Sequence, residues 1–194
     1  MRTIFKTMGK LSLGLVTVLT LVSSCSNNSA ELIAKIDGLE KELQAYKSAD
    51  SITQERLMIF DTLDFEYYTN QKWNQFEESH TEDIIVYNAD GSITEGLHPA
   101  HINDLKPMFV FAPDTRIEKH PVKFGNGDWT AVIGELEGTF TEPMPIGNGQ
   151  TIPPTGKKFK LRMATIGHWK EGKMIEEYLF YDNHSFMKQI GLAE

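Results

Sequence analysis

The chain has 194 residues, 40% of them hydrophobic, and 27 acidic against 19 basic side chains give it a formal net charge of −8. That length suits one domain with a sizeable core, and an acidic composition without basic clusters excludes nucleic-acid binding and direct adhesion to anionic lipid. Cys25 is the single cysteine, so no intrachain disulfide can form.

Residues 1–24 read as a targeting signal. Arg2, Lys6 and Lys10 make a positive start, and Leu11 to Val22 is an apolar run too short to span a bilayer comfortably. Leu21-Val22-Ser23-Ser24-Cys25 resembles a bacterial lipobox, which predicts cleavage before Cys25 and lipid on its thiol and amino group. Several acyl chains would hold the protein on a membrane. No acidic residue immediately follows Cys25, which in a Gram-negative organism resembles sorting to the outer membrane, facing the periplasm. Cleavage leaves 16 basic against 27 acidic groups, a net charge of −11.

Residues 25–50 form the expected tether. Ser26 to Ala30 reads as flexible, and Leu32, Ile36, Leu39, Leu43 and Tyr46 then follow the a/d rhythm of a coiled coil over two heptads. That stripe fits a self-associating stalk, and equally a helix packed on its own domain or a solvated spacer. The domain proper is expected over 51–194. Asp50 or Ser51 can cap a helix bearing Leu57, Phe60 and Leu63, and Asn70 can start a shorter one in which Trp73 and Phe76 share a face.

Thr81–Asn88 reads as a strand, and Pro99 suits the first turn of a helix to about Phe111, which Pro107 should kink or shorten. His98 and His101 are three apart, but no third ligand at a recognisable spacing supports a metal site. Strands are expected over Arg116–Phe124, Trp129–Glu142, Lys157–Trp169 and Met174–Tyr181, with a Pro- and Gly-rich loop from Met144 to Pro154. Helices mostly precede strands, so the fold class is α+β. Glu135 and Glu137 read as the wet rim of a half-buried strand rather than an acid/base pair. No phosphate-binding glycine loop, nucleophile elbow or cofactor motif is present.

Strand alternation places Met174, Glu176, Tyr178, Phe180 and Asp182 on one face, with Asp182 closing an apolar row. A carboxylate among aromatic side chains becomes more basic, yet Asp182 also stands where an N-cap of the terminal helix Ser185–Ile190 belongs. The phase of the preceding strand sets His168 with Lys158, Lys160 and Arg162, away from the apolar row, unless a bulge re-aims it.

The stretch "MIEEYLFYD" followed by "FMKQIG", with "DGSITEGLHPAHIN", "ELEGTFTEPM" and "PPTGKKFKLRMATIGHWKEGK", resembles the SnoaL-like polyketide cyclases, or ester cyclases, over roughly Ile52 to Leu192. The resemblance implies a nuclear transport factor 2-like cone, a curved sheet around an apolar pocket roofed by helices. It also implies cofactor-independent chemistry, with Asp182 as general acid/base and His168 close to it, closing a ring on a hydrophobic carbonyl compound by an aldol-type step. Trp73, Phe76, Phe109, Tyr178 and Phe180 would line the pocket, and relatives suggest a homodimer. The alternative is a non-catalytic envelope lipoprotein that holds an apolar ligand or a protein partner in the same cone.

Overall fold

The computed structural model describes residues 5–194, with side chains from Ser29 onward; residues 1–4 of the expected signal and the Cys25 side chain lie outside the described residues. The described backbone forms two compact units, divided between Ser48 and Ala49. Helix α1 spans Phe5–Thr62, so Ser26–Ala30 is helical rather than a loose tether, and neither Asp50 nor Ser51 caps a new helix. Gly38 stays within α1, its helical cost of about 1 kcal/mol absorbed by a long run of helix formers. Among the described residues no helix is long and apolar enough to cross a membrane.

In the second unit α1 continues into a π-helical turn, Leu63–Tyr68, and a 3₁₀ turn, Trp73–Glu78. Strands β1 (His80–Tyr87) and β2 (Ile93–Glu95) follow, then a turn at Leu97–His101 and helix α2 (Ile102–Phe111). Pro107 lies inside α2 without ending it. The expected strand over Arg116–Phe124 is two short ones, β3 (Arg116–Ile117) and β4 (Val122–Asn126), separated at Pro121, which has no N–H to give a ladder. Strands β5 (Trp129–Thr139), β8 (Lys158–Lys170) and β9 (Lys173–Phe180) are the long ones. The Pro/Gly loop folds as a separate ribbon, β6 (Met144–Gly147) with β7 (Gln150–Ile152). The chain ends in α3, Asn183–Gln189.

The main sheet has the order β2-β1-β9-β8-β5-β3, with β4 also on β5. All pairs are antiparallel except β1 with β9. Burial alternates along β5: Thr130, Val132, Leu136 and Gly138 face in, whereas Glu135 and Glu137 face out, where Lys160 bonds Glu135 at 2.8 Å and Arg116 reaches Glu137. Phe159, Leu161, Thr165 and Trp169 continue the inner face on β8. The β8–β9 turn needs positive φ at two residues, met by Glu171 (51°) and Gly172 (83°).

One irregularity decides the polarity of the site. His168 pairs with Glu176 but Trp169 pairs with Met174, so Ile175 is an extra residue on β9. The bulge reverses the strand's phase. Met174 and Glu177 are both buried, and the inner row continues through Leu179 to Tyr181, whereas Glu176, Tyr178 and Phe180 turn outward. The regular alternation expected from the sequence fails at this residue.

Candidate ligand cavity and its buried polar floor

The inner face encloses a cavity of about 340 Å³. Leu136, Leu161, Met163 and Leu179 supply sheet walls, Leu105 and Met108 of α2 roof it, and Asn88, Asp90, Ser92, Asn103 and Asp104 give a polar border. Apolar walls with a few polar groups suit a small organic molecule. Tyr68, only 7% exposed, lines the cavity, and its hydroxyl makes no hydrogen bond to any described residue. Burial pushes its pKa upward, helped by the nearby Asp64 and Tyr181, so it remains a proton donor at neutral pH.

Beyond Tyr68 lies a row of buried ionisable groups. The His120 ring accepts or donates on both edges, with Nδ1 2.8 Å from Asp61 and Nε2 2.8 Å from Asp64. Burial disfavours its charged form, but the two carboxylates outweigh this and raise its pKa. Burial raises the Asp64 carboxyl, against the pull of His120. Gly134 borders the pair: a Cβ there would stand in ordinary contact, 3.6 Å from Asp64 Oδ2 and 3.7 Å from the imidazole.

His80, His101 and Glu177 form a second group, all buried, with potential ligand atoms within 4.8 Å of one another. Burial acts against the Glu177 carboxylate, yet the two imidazoles hold its pKa below the usual value, while burial lowers that of His101. The His98/His101 pair suggested by spacing does not form. His98 has extended backbone (φ −109°, ψ 128°), so the two do not share a helical face, and His101 meets residues distant in sequence instead.

The residues expected to act together lie apart. Asp182 is exposed and caps α3, its Oδ1 accepting the Ser185 N–H at 2.9 Å. His168 lies on the outer face, stacked on Trp129 with centroids 4.1 Å apart and with Nδ1 2.8 Å from Glu176. Phe180 is opposite Ala164, so Asp182 falls six ladder positions from His168, about 20 Å along the strand. Hairpin strands bring their turn ends together, and these residues stand at opposite ends.

The expected aromatic lining is also displaced. Tyr178 stacks on Tyr87 at 4.4 Å on the outer face, and Phe180 is exposed there, both turned outward by the bulge. Trp73, Phe76 and Phe109 pack with one another and with Tyr68 as a core wedge beside the cavity, not as its wall. Sequence reasoning missed Tyr68, Asp64, His120, His80 and Glu177. Glu177 had a signal, being the one carboxylate in an apolar row, but only the bulge tells which row faces in.

A one-sided curved sheet closed by helices over a small apolar cavity defines a ligand-enclosing cone of the nuclear transport factor 2-like class. The profile of the family described as SnoaL-like polyketide cyclase matches residues 61–190, two thirds of the sequence, and the chain belongs to that family. A Jannaschia protein described as a SnoaL-like polyketide cyclase superposes with a TM-score of 0.62 at 19% identity, covering 74% of this chain and 96% of its own. A polyketide-cyclase-like protein of Streptomyces antibioticus gives 0.57 at 19% identity, covering 71% and 99%. A Catenulispora acidiphila protein with a ketosteroid isomerase-like fold, solved with trimethylamine, gives 0.56 at 15% identity, covering 72% and 95%. At these identities the likeness is one of fold. No curated protein matches the sequence.

Proposed function

We propose that the domain binds a compact hydrophobic carbonyl compound in the cone cavity, with the Tyr68 hydroxyl donating to the carbonyl oxygen. The observation that carries this is the unpartnered phenol in an otherwise apolar wall. The hydroxyl opens on the cavity rather than being sealed in the core, and a ligand carbonyl supplies the acceptor that no described residue does. The volume of about 340 Å³ sets the scale: a ligand of one to three rings, not a long chain. Small molecules released from the purified protein, identified by mass spectrometry, test this. A retained hydrophobic carbonyl compound supports it, and a ligand-free protein that takes up none refutes it.

A second reading, cyclase-type turnover, draws on Asp182. It directly follows Tyr181 at the cavity mouth, and its Oδ2 has no partner among the described residues. In that reading Asp182 removes a proton α to the bound carbonyl, Tyr68 stabilises the enolate oxygen, the enolate carbon attacks a second carbonyl of the same molecule, and the alkoxide formed takes the proton back from Asp182. His168, on the other face, takes no part. Asp182→Asn separates the readings, because Asn also serves as an N-cap. Turnover abolished with binding kept supports catalysis; turnover unchanged removes Asp182 from it.

The N-terminal segment belongs to the same proposal as an anchor: an exported lipoprotein, lipidated on Cys25, on the outer membrane facing the periplasm. A mature mass showing cleavage and acylation, lost in Cys25→Ser, tests it. The occupant we propose for the stalk's apolar face is a second copy of this chain. Leu32, Ile36, Leu39, Leu43 and Tyr46 are 52–76% exposed. In a parallel in-register pair, Lys35 meets Glu40 and Glu42 meets Lys47 of the other copy, all opposite charges. Asp50, at the next core position, ends the seam.

A further inference from the structure

The geometry points to a site for one divalent transition-metal ion of the zinc class, ligated by His80, His101 and Glu177. The three come from separate elements: His80 opens β1, His101 ends the turn before α2, and Glu177 is on the inner row of β9. Two imidazoles and one carboxylate are a donor set that zinc and its neighbours favour over magnesium or calcium, which prefer oxygen.

The His80 Nδ1 lies 3.1 Å from the Phe76 carbonyl oxygen, which can only accept, so that contact is a hydrogen bond when the proton is on Nδ1. The Ser79 hydroxyl is 2.9 Å from the same nitrogen, and it can accept from Nδ1–H in that tautomer or donate to Nδ1 in the other. With the proton on Nδ1, Nε2 keeps its lone pair, the arrangement in which a second partner fixes a metal-binding histidine. That lone pair faces Glu177 Oε2 at 3.9 Å, and His101 Nε2 stands 3.3 Å from the same oxygen.

In that tautomer His80 Nε2 and Glu177 Oε2 are both acceptors, and these two atoms, like His101 Nδ1, are buried without a hydrogen-bond partner among the described residues. Two lone pairs facing each other in a buried interior are costly unless something positive lies between them. A metal with ligand distances of about 2.0–2.2 Å holds donor atoms roughly 3.2–3.6 Å apart when tetrahedral. The separations of 3.3 and 3.9 Å need a few tenths of an ångström of adjustment, and the two imidazoles, whose ligand atoms lie within 4.8 Å, close by about 1.2 Å at most. Water would complete the shell.

The ion would fasten the cavity as well as the core. Leu105 and Met108 of α2 lie one and two turns beyond His101, and Leu179 and Tyr181 lie two and four residues beyond Glu177; all four line the cavity. Ligation would thus pin the roof to the wall. This inference does not depend on what the cavity binds.

The test uses the full-length protein, exchanged into zinc and dialysed. Elemental analysis should return one zinc per chain, and excess zinc should raise the Tm of chelator-treated protein by about 5–10 °C at a hundredfold excess over Kd. Cobalt substitution should give the intense visible bands of a four-coordinate ion. His101→Gln and Glu177→Gln, checked for folding by circular dichroism, should each weaken zinc binding at least tenfold. Wild-type protein that holds no zinc and whose Tm ignores both zinc and chelator would overturn the proposal, leaving a buried imidazolium–carboxylate pair. Equal zinc binding by both variants would also overturn it, placing the ion on surface histidines.

Discussion

Replacing His120 with leucine tests the buried acid–base row. The ring side chain is 1% exposed and bonds Asp61 and Asp64 at 2.8 Å each. Asp61 is partly solvated and also bound by Lys123, so losing that contact costs about 0.5 kcal/mol. Most of the cost falls on Asp64, which has no other strong partner. Taking one partner from a buried ion pair costs about 3–5 kcal/mol, limited here because Asp64 can take up a proton instead. Urea denaturation at pH 7 should therefore show a loss of about 3 kcal/mol. The pH dependence gives a sharper signature. His120 has a raised folded pKa, so its contribution is complete below its unfolded value of about 6.5 and is lost as pH rises through the folded value. In His120→Leu that alkaline window disappears. The Asp64 carboxyl, freed of the imidazole, is raised further by burial, so the variant should lose stability from about pH 4 upward, beginning near its ordinary value of 3.8. A loss under about 1 kcal/mol with an unchanged pH window would mean that Asp64 does not depend on the imidazole.

Other perturbations read other parts of the structure. Gly138→Ala places a Cβ 2.7 Å from the Phe159 ring, which is itself wedged against Phe186, so denaturant melts should register a loss of about 1–3 kcal/mol. Asp182→Ala removes the α3 cap and should cost about 1 kcal/mol, while Asp182→Asn should cost little; equal losses would mean the cap contributes nothing. Ile36→Lys with Leu43→Lys should convert a dimer to a monomer in analytical ultracentrifugation. A dimer that survives would move the contact to the outer sheet face around Phe124 and Trp129, which are 62% and 41% exposed.

The α+β class and the long strands were legible because Lys158-Phe159-Lys160-Leu161-Arg162-Met163 states its two faces in plain alternation. The Lys170–Lys173 turn was legible because its glycine and charges mark a hairpin. The site was not. A strand's facing is a parity, and the one extra residue at Ile175 inverted it for every residue that followed, sending Tyr178 and Phe180 outward and Glu177 and Tyr181 inward. Asp182 satisfied two patterns at once, cap and acid, and the cap is a local bond that sequence spacing can specify. His80, His101 and Glu177 meet only through the β1–β9 pairing, which no short spacing records.

If Tyr68 holds the carbonyl of an apolar ligand inside the cavity, a fluorescent ketone should report it. An acyl-dialkylaminonaphthalene, whose emission senses both polarity and hydrogen bonding at its carbonyl, would be titrated into wild-type protein, Tyr68→Phe and Met163→Trp. Wild-type protein should bind it saturably at one site per chain, with emission blue-shifted from that in water. In Tyr68→Phe affinity should fall about fivefold, the worth of one hydrogen bond, with a further blue shift. Filling the cavity in Met163→Trp should abolish binding. No saturable binding, or binding indifferent to both substitutions, would rule out Tyr68 and this cavity as the ligand site.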